Sequence, residues 1–282
     1  MKPCAHCGAD IGSTRWEEEA CPACLLRIGL EPAAPAADLV IESEAYRVLG
    51  PIGRGPNGTV YLGCRVRQPQ RFVTVKVIEQ PVDVEIFLPL MHDLLDRLPV
   101  SARMRVAGRL IETIVTNEGR ACVCAEYAAG VAADQYFAAS GPSRERLEVL
   151  VDICERVAEL HRCRLAHGSI KAHNVIIVAA SNGCMPALLD MGMRPTIEAS
   201  WISRRAGRRD SDRPGEVFGE HNRRADVDDL RDLISSLLKC RTDIASVCDN
   251  IWPDARGANW QTAEDVATDL KSALGHMQGV RN

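Results

Sequence analysis

The chain has 282 residues, which is enough for one large domain or for two unequal ones. Hydrophobic residues make up 46% of the sequence and charged residues 26%, and the net charge of -4 gives no global attraction to nucleic acid or to an anionic membrane surface. The apolar runs are too short to span a bilayer, and the N-terminus lacks the apolar core of a signal peptide. We therefore expect a cytoplasmic protein with no membrane partner, whose twelve cysteines are thiols or metal ligands rather than disulfides.

The N-terminal residues carry two matched cysteine pairs. In the pattern C-x2-C, thirteen residues, C-x2-C, they are Cys4, Cys7, Cys21 and Cys24. A two-residue spacer lets a tight turn direct both sulfurs at one ion, and Zn²⁺ prefers four tetrahedral ligands such as thiolates. We predict a structural zinc ribbon over residues 1–28, with a redox dithiol pair as the alternative. Residues 29–43, with Pro32 and Pro35 among alanines, are predicted to form an extended linker.

A glycine-rich segment lies between two predicted strands. Its glycines follow the pattern G-x-G-x-x-G and are Gly53, Gly55 and Gly58, with Val60 in the second strand. Such glycines let backbone amides approach phosphate groups, and the strand-turn-strand context disfavours a dinucleotide fingerprint, which needs a following helix. An ordinary hairpin is the alternative. A third predicted strand, 72–78, carries Lys76, one of the five lysines in the chain.

Two further motifs lie in the second half of the chain. The run 167–174 reads His-Gly-Ser-Ile-Lys-Ala-His-Asn, after an amphipathic helix predicted from about Arg144 and before a strand, and the run 188–192 reads Leu-Leu-Asp-Met-Gly. With the glycine-rich segment and the strand lysine, in this order, these motifs resemble those of the protein kinase superfamily, most closely the bacterial eukaryotic-like serine/threonine kinases. We assign residues 44–277 to this kinase-like domain.

The resemblance implies a two-lobed α+β fold with ATP in the cleft between the lobes. The first lobe would be an antiparallel sheet with one helix, and the second lobe would be helical. The glycine loop and Lys76 would bind the phosphates of ATP, and the backbone near Glu126 and Ala128 would bind adenine. The small side chain of Ala125 would leave the back of the pocket open.

The resemblance also implies roles for the residues of the catalytic loop. Asn174 and Asp190 would bind Mg²⁺, Lys171 would face the transferred phosphate, and Asp226 would hold the backbone of the loop. The loop is degenerate, because Ser169 stands where the family has the catalytic aspartate. A neutral hydroxyl cannot act as a general base, and loss of a positioned base typically costs about 10²–10⁴ in rate.

Other departures also concern catalysis rather than nucleotide binding. Gly168 replaces the arginine of the family's loop, and the glutamate expected to pair with the strand lysine falls on Met91. Glu85 is the nearest candidate for that pair, but we expect its helix to start only after it, at Pro89. The second lobe also looks short after its large helix, before a final helix predicted at 262–274.

These departures leave alternative functions open. The first hypothesis is an ATP-binding pseudokinase that signals through a protein partner, by way of the zinc ribbon or the second lobe. The alternative is a weak serine/threonine kinase, in which His173 is a remote candidate for a substitute base, since the family usually points this side chain away from the phosphates. A nucleic-acid role is disfavoured by the acidic balance of the ribbon. The arginine-rich segment 194–213 would be the activation loop, and we interpret it as mobile and solvated.

Overall fold

The structure is a computed structural model that describes residues 46–98, 110–139, 141, 143–180, 183–206, 217–239 and 260–279. The predicted zinc ribbon and linker lie outside the described residues, so the zinc site stays a prediction. In the part of the chain that is described, no helix is both long and apolar enough to cross a membrane.

Five antiparallel strands form the sheet of the first lobe, in the spatial order β1-β2-β3-β5-β4. They are β1 Tyr46–Gly55, β2 Gly58–Arg65, β3 Gln68–Ile78, β4 Leu110–Val115 and β5 Ala121–Glu126. Along β3, Val73, Val75 and Val77 alternate and are buried in one apolar cluster. Because successive side chains of a strand point to opposite faces, Lys76 lies on the other face. The predictions of the first three strands are confirmed.

Helix α1, Val84–Arg97, packs on this sheet. Asp83 caps the helix, because its side chain accepts a hydrogen bond from the backbone N–H of Glu85 at 3.0 Å. The prediction that the helix starts at Pro89 is wrong, since Pro89 lies inside it. A proline cannot donate to the carbonyl of Glu85, but both residues are exposed, so water can reach that carbonyl.

The second lobe is mainly helical. Its helices are α2 Ala133–Ala138, α3 Ser143–Arg162, α4 Met193–Ala206, α5 Glu220–Lys239 and α6 Ala263–Gly279, with a 3-10 turn at Ala172–Asn174. The strands β6 Gly130–Ala132, β7 Val175–Ala180 and β8 Gly183–Leu188 form a small antiparallel sheet in that order. The two-lobed α+β fold is confirmed. The catalytic-loop motif lies between α3 and β7, and the Asp-Met-Gly motif follows β8.

The core of the second lobe forms between α3, α5 and α6. The buried side chains of these helices recur three or four residues apart, which is the spacing of one helical face. They include Leu147, Leu150, Cys154, Val157, Leu230, Ile234, Val266 and Leu270. Burial of each large apolar side chain stabilises the fold by roughly 1.5–3 kcal/mol. The predicted final helix is confirmed as α6, although the predicted shortening before it falls mostly on residues 240–259, which lie outside the described residues.

Candidate functional site

A cleft of about 320 Å³ opens between the two lobes. Six residues that were predicted to bind nucleotide or Mg²⁺ line it: Gly53, Gly55, Val60, Lys76, Asn174 and Asp190. Ala125 lines its wall, and the adjacent Glu126 ends strand β5 just before Ala128. The fold therefore brings together strands, a 3-10 turn and a loop that are far apart in the sequence.

The glycine-rich segment forms a tight hairpin in which Gly55 pairs with Gly58. Gly58 has a φ of +144°, and a Cβ there would lie 1.9 Å from the carbonyl oxygen of Val77. The fold therefore requires glycine at this position. A Cβ at Gly53 or Gly55 would meet nothing within 4 Å, so these two glycines leave open space on the cleft side of the hairpin.

Side chains hold the end of this hairpin to the end of strand β3. The carboxylate of Glu79 accepts hydrogen bonds from Thr59 Oγ1 at 2.6 Å and from Arg54 at 3.1 Å, and Gln80 Nε2 donates to the carbonyl of Pro56 at 3.1 Å. These bonds to Thr59 and Arg54 lower the pKa of the Glu79 carboxyl group. Arg54 also lines the cleft. It was not among the predicted site residues, although its place between the first two glycines could have indicated it.

Lys76 and Asp190 form an ion pair in the cleft, with Nζ in contact with Oδ2. The lysine side chain is 10% exposed and the aspartate side chain 24%, so the pair is less screened by water than a surface pair. Neither candidate position on α1 supplies a carboxylate to this lysine. Glu85 is exposed in the first turn of α1, and Met91 is buried in an apolar cluster, so it is Asp190 that supplies the carboxylate in contact with Lys76.

Asp226 of α5 holds the backbone of the catalytic-loop motif. Its fully buried carboxylate accepts hydrogen bonds from the backbone N–H groups of His167 and Gly168, both at 2.7 Å, and lies 3.0 Å from His161 Nε2. The role that the resemblance implied for Asp226 is confirmed. Burial lowers the pKa of the His167 imidazole below its usual value, so this side chain stays neutral at pH 7.

Comparisons with known proteins agree with this geometry, although no family model matches the chain. The serine/threonine-protein kinase pkn2 of Myxococcus xanthus is 26% identical over 175 residues, which are 58% of this chain and 20% of that kinase, so the chain spans about a fifth of its relative's length. A crystal structure of the Mycobacterium tuberculosis PknI kinase domain superposes with a TM-score of 0.53 at 18% identity, covering 81% of this chain and 96% of that domain. A second crystal structure of that domain gives 0.52 at 17% identity, covering 82% and 96%. The chain has the protein kinase fold.

Within this kinase fold, Ser169 is half-buried beside Asn174. Asn174 Nδ2 donates to the carbonyl of Ser169 at 2.9 Å and to its hydroxyl at 3.4 Å. Lys171 is exposed at the start of the 3-10 turn. His173 is exposed and is one of the residues that line the cleft. The side chain that contacts Ser169 is therefore the amide of Asn174.

The segment after the Asp-Met-Gly motif differs most clearly from what the sequence predicted. We interpreted it as a mobile, solvated loop, but residues 193–206 form helix α4, whose inner face is buried. The buried residues of this helix are Met193, Pro195, Thr196, Ile197, Ala199, Ser200 and Ser203. Their spacing of three and four residues was a helical signal, which the surrounding arginines obscured. Residues 207–216 lie outside the described residues.

Protein kinase folds generally bind ATP together with Mg²⁺. The two donors that the resemblance implies, Asn174 and Asp190, both line the cleft. The side-chain nitrogen of Asn174 donates to Ser169, so the side-chain oxygen Oδ1 of Asn174 is the atom that could bind a cation. Mg²⁺ prefers such oxygen ligands and needs few from the protein, because it keeps waters and nucleotide phosphates. These residues therefore fit Mg²⁺ bound with a nucleotide, although the described residues contain no group of three or more His, Cys, Asp or Glu side chains that could hold a metal by itself.

Proposed function

We propose that this domain binds ATP in the cleft between its lobes and acts as a pseudokinase, in signalling through contacts with a protein partner. The observation that carries the proposal is the shared lining of one cleft by the glycine hairpin, Lys76, Asn174 and Asp190. The cleft has the size of a small-molecule site. It offers open backbone at the hairpin and a lysine ammonium group for the phosphates, and its Asp190 and Asn174 oxygens suit Mg²⁺.

The adenine base would lie against the wall formed by strand β5. Ala125 and Val123 line this wall, and both are small enough to leave room for a flat ring. We propose that the backbone of Glu126 and Ala128, just beyond the wall, donates to and accepts from adenine. This assignment rests on the resemblance, and it places the phosphates toward Gly53 and Gly55.

The same cleft lacks the parts needed for efficient phosphoryl transfer. Ser169 replaces the base, and Met91 replaces the glutamate that would fix Lys76 for transfer. When bound, Mg²⁺ would neutralise phosphate charge; the chain's own residues would bind and orient the nucleotide, with Lys76 on the phosphates and Asn174 bridging to Ser169. We infer that the domain still binds ATP, whereas its transfer of the phosphoryl group is lost or very slow.

Thermal unfolding with and without Mg-ATP tests nucleotide binding. A ligand that binds only the native state raises the stability by about 2.7 kcal/mol at a hundredfold excess over its dissociation constant. We expect a shift that is lost in Lys76→Ala and retained in Lys239→Ala, since Lys239 is exposed at the end of α5, away from the cleft. The absence of any shift at millimolar ATP would contradict the proposal.

A weak serine/threonine kinase is the second candidate, because Lys171, Asn174 and Asp190 all remain. A loose transition state for phosphoryl transfer needs positioning and charge neutralisation more than a base. This candidate predicts slow phosphorylation of the protein itself or of a generic substrate, which Asp190→Ala abolishes and Ser169→Asp accelerates. Turnover that is absent in the wild type and in Ser169→Asp supports the pseudokinase.

The N-terminal segment is proposed to bind Zn²⁺ through its four cysteines and to contact a protein partner in the cytoplasm. Metal analysis of the purified full chain should find one zinc ion per chain. The double variant Cys4→Ser/Cys7→Ser should lose it, whereas Cys64→Ser should keep it, because Cys64 is a buried thiol of strand β2. A zinc content that does not change in the double variant would exclude the ribbon.

A further inference from the structure

Helix α4 follows the Asp-Met-Gly motif and packs against α1. Its Met193 and Ile197 belong to the same apolar cluster as Phe87 and Met91 of α1. Met91 is fully buried there. The side chain that stands in place of the expected glutamate is thus part of the contact between α1 and α4.

A polar contact joins the same two helices. Ser200 Oγ accepts a hydrogen bond from the backbone N–H of Asp83 at 2.6 Å and donates to the backbone carbonyl of Asp83 at 3.1 Å. Asp83 is the residue that caps α1. The hydroxyl of Ser200 is fully buried and satisfies both backbone groups of the cap, so α4 and the start of α1 stabilise each other.

The first turn of α4 also contacts the catalytic loop. Pro195 packs on Gly168 so closely that a Cβ at position 168 would lie 2.4 Å from Pro195 Cδ. Gly168 has a φ of +78°, a conformation that other residues rarely adopt. An arginine at this position, as in the family's motif, would therefore displace Pro195 and with it the start of the helix.

We propose that α4 is a permanently docked activation segment, held in a socket that is formed by the two residues that replace catalytic ones, Met91 and Gly168. A glutamate at 91 would bury a carboxylate in the apolar cluster unless α4 moved away. A side chain at 168 would collide with Pro195. The same two replacements that remove catalytic groups thus create the contacts that retain α4. Met91 and Gly168 do not themselves line the nucleotide cleft, whereas Met193 of α4 does. We expect the helix to stay docked with or without ATP, and the proposal does not depend on nucleotide binding.

A docked α4 has a consequence for substrates. Pro195 lies against Gly168, which precedes Ser169 in the chain. We infer that the helix hinders the approach of a protein hydroxyl to Ser169. The segment that would present a substrate in an active kinase is here part of the fold. Regulation by release of this segment would require breaking the apolar cluster and the Ser200–Asp83 contacts together.

Amide hydrogen exchange on the full chain tests this proposal. Amides of α4 should be protected in the wild type, equally with and without Mg-ATP. Met91→Glu should raise their exchange rate by at least about tenfold, which corresponds to 1.4 kcal/mol of opening free energy, whereas Met91→Leu should leave it near the wild-type rate. Exchange of α4 at the rate of an unstructured chain in the wild type would overturn the proposal, as would an unchanged rate in a folded Met91→Glu protein.

A second pair of variants keeps the test decisive if Met91→Glu fails to fold. Gly168→Ala and Gly119→Ala introduce the same backbone strain, since φ is +78° at Gly168 and +77° at Gly119, but a Cβ at Gly119 meets nothing within 4 Å. Faster exchange of α4 in Gly168→Ala alone supports the socket. Equal exchange of α4 in both variants would contradict it. Nucleotide binding measured in parallel separates this result from a failure of the ATP site.

Discussion

The ammonium group of Lys76 contacts the carboxylate of Asp190. Lys76 belongs to the sheet of the first lobe and Asp190 to the loop after β8 in the second lobe, so this ion pair joins the two lobes through the cleft. Neither candidate position on α1 supplies a carboxylate to this lysine, since Glu85 is exposed and Met91 is buried in an apolar cluster. We infer that Asp190 keeps Lys76 in the cleft until a nucleotide arrives.

The Lys76–Asp190 pair should contribute measurably to stability. We expect a double-mutant cycle of Lys76→Met and Asp190→Asn to give a coupling of about 1–2 kcal/mol in the free energy of unfolding, because the pair is largely shielded from water. The exposed pair of Arg144 and Glu148 on α3, at 2.8 Å, is the control and should give no more than about 0.5 kcal/mol. Urea unfolding of the single and double variants measures both. Equal couplings in the two cycles would show that the cleft pair has no special strength.

Substitutions at two glycines of the hairpin should have different effects, one on the stability of the fold and the other on ATP binding. Gly58→Ala should lower the free energy of unfolding by about 2–4 kcal/mol, because its Cβ would collide with the carbonyl of Val77. Gly55→Ala should leave the melting temperature nearly unchanged, because a Cβ there meets nothing within 4 Å, yet it should weaken ATP binding by crowding the phosphates. Calorimetric titration with Mg-ATP and thermal unfolding of both variants check this. An unaltered affinity in Gly55→Ala would mean that phosphates do not approach this backbone.

Asp226 should be among the most important single side chains for folding. In Asp226→Asn, two backbone N–H groups in a fully buried site would face an amide, which is a weaker hydrogen-bond acceptor than a carboxylate. We expect this change to lower the free energy of unfolding by about 3–5 kcal/mol. Asp232→Asn, on the exposed face of the same helix, should change the stability by less than about 0.5 kcal/mol. Denaturant unfolding compares the two variants. Similar small losses in both would argue against the anchoring role of Asp226.

Stability should fall in mild acid because of His167. Burial lowers the pKa of its imidazole in the folded state below the ordinary value of 6.5, so the unfolded chain binds a proton more readily than the native protein. The contribution of His167 is therefore fully present above pH 6.5 and is lost as the pH falls below that value, by at most about 1.4 kcal/mol per pH unit.

Unfolding free energies measured between pH 7.5 and 5.5 check the prediction for His167. His167→Asn should remove its share of the pH dependence, whatever its effect on stability at neutral pH. His221→Asn is the matched control, because His221 is exposed at the start of α5. A pH slope that is the same in the wild type and in both variants would mean that His167 does not titrate on unfolding.

The sequence by itself determined the kinase-like fold and most of the cleft lining. The glycine requirement of a tight hairpin and the alternation along β3 are local properties, so they can be read without a structure. The order of the motifs then restricts the fold, and the structure places Gly53, Lys76, Asn174 and Asp190 in one cleft. The zinc ribbon remains a prediction from cysteine spacing alone.

Only the tertiary structure decided the partner of Lys76, the course of α1 through Pro89 and the state of the segment after Asp190. Each depends on contacts between residues far apart in the chain. The cap of α1 is completed by Ser200, more than a hundred residues later, and the helicity of α4 depends on burial of its inner face against α1. The arginine-rich local composition favoured a loop. The helix forms nevertheless, because packing of its buried face stabilises it more than the local composition disfavours it, and packing rather than propensity provides most of a helix's stability in a protein.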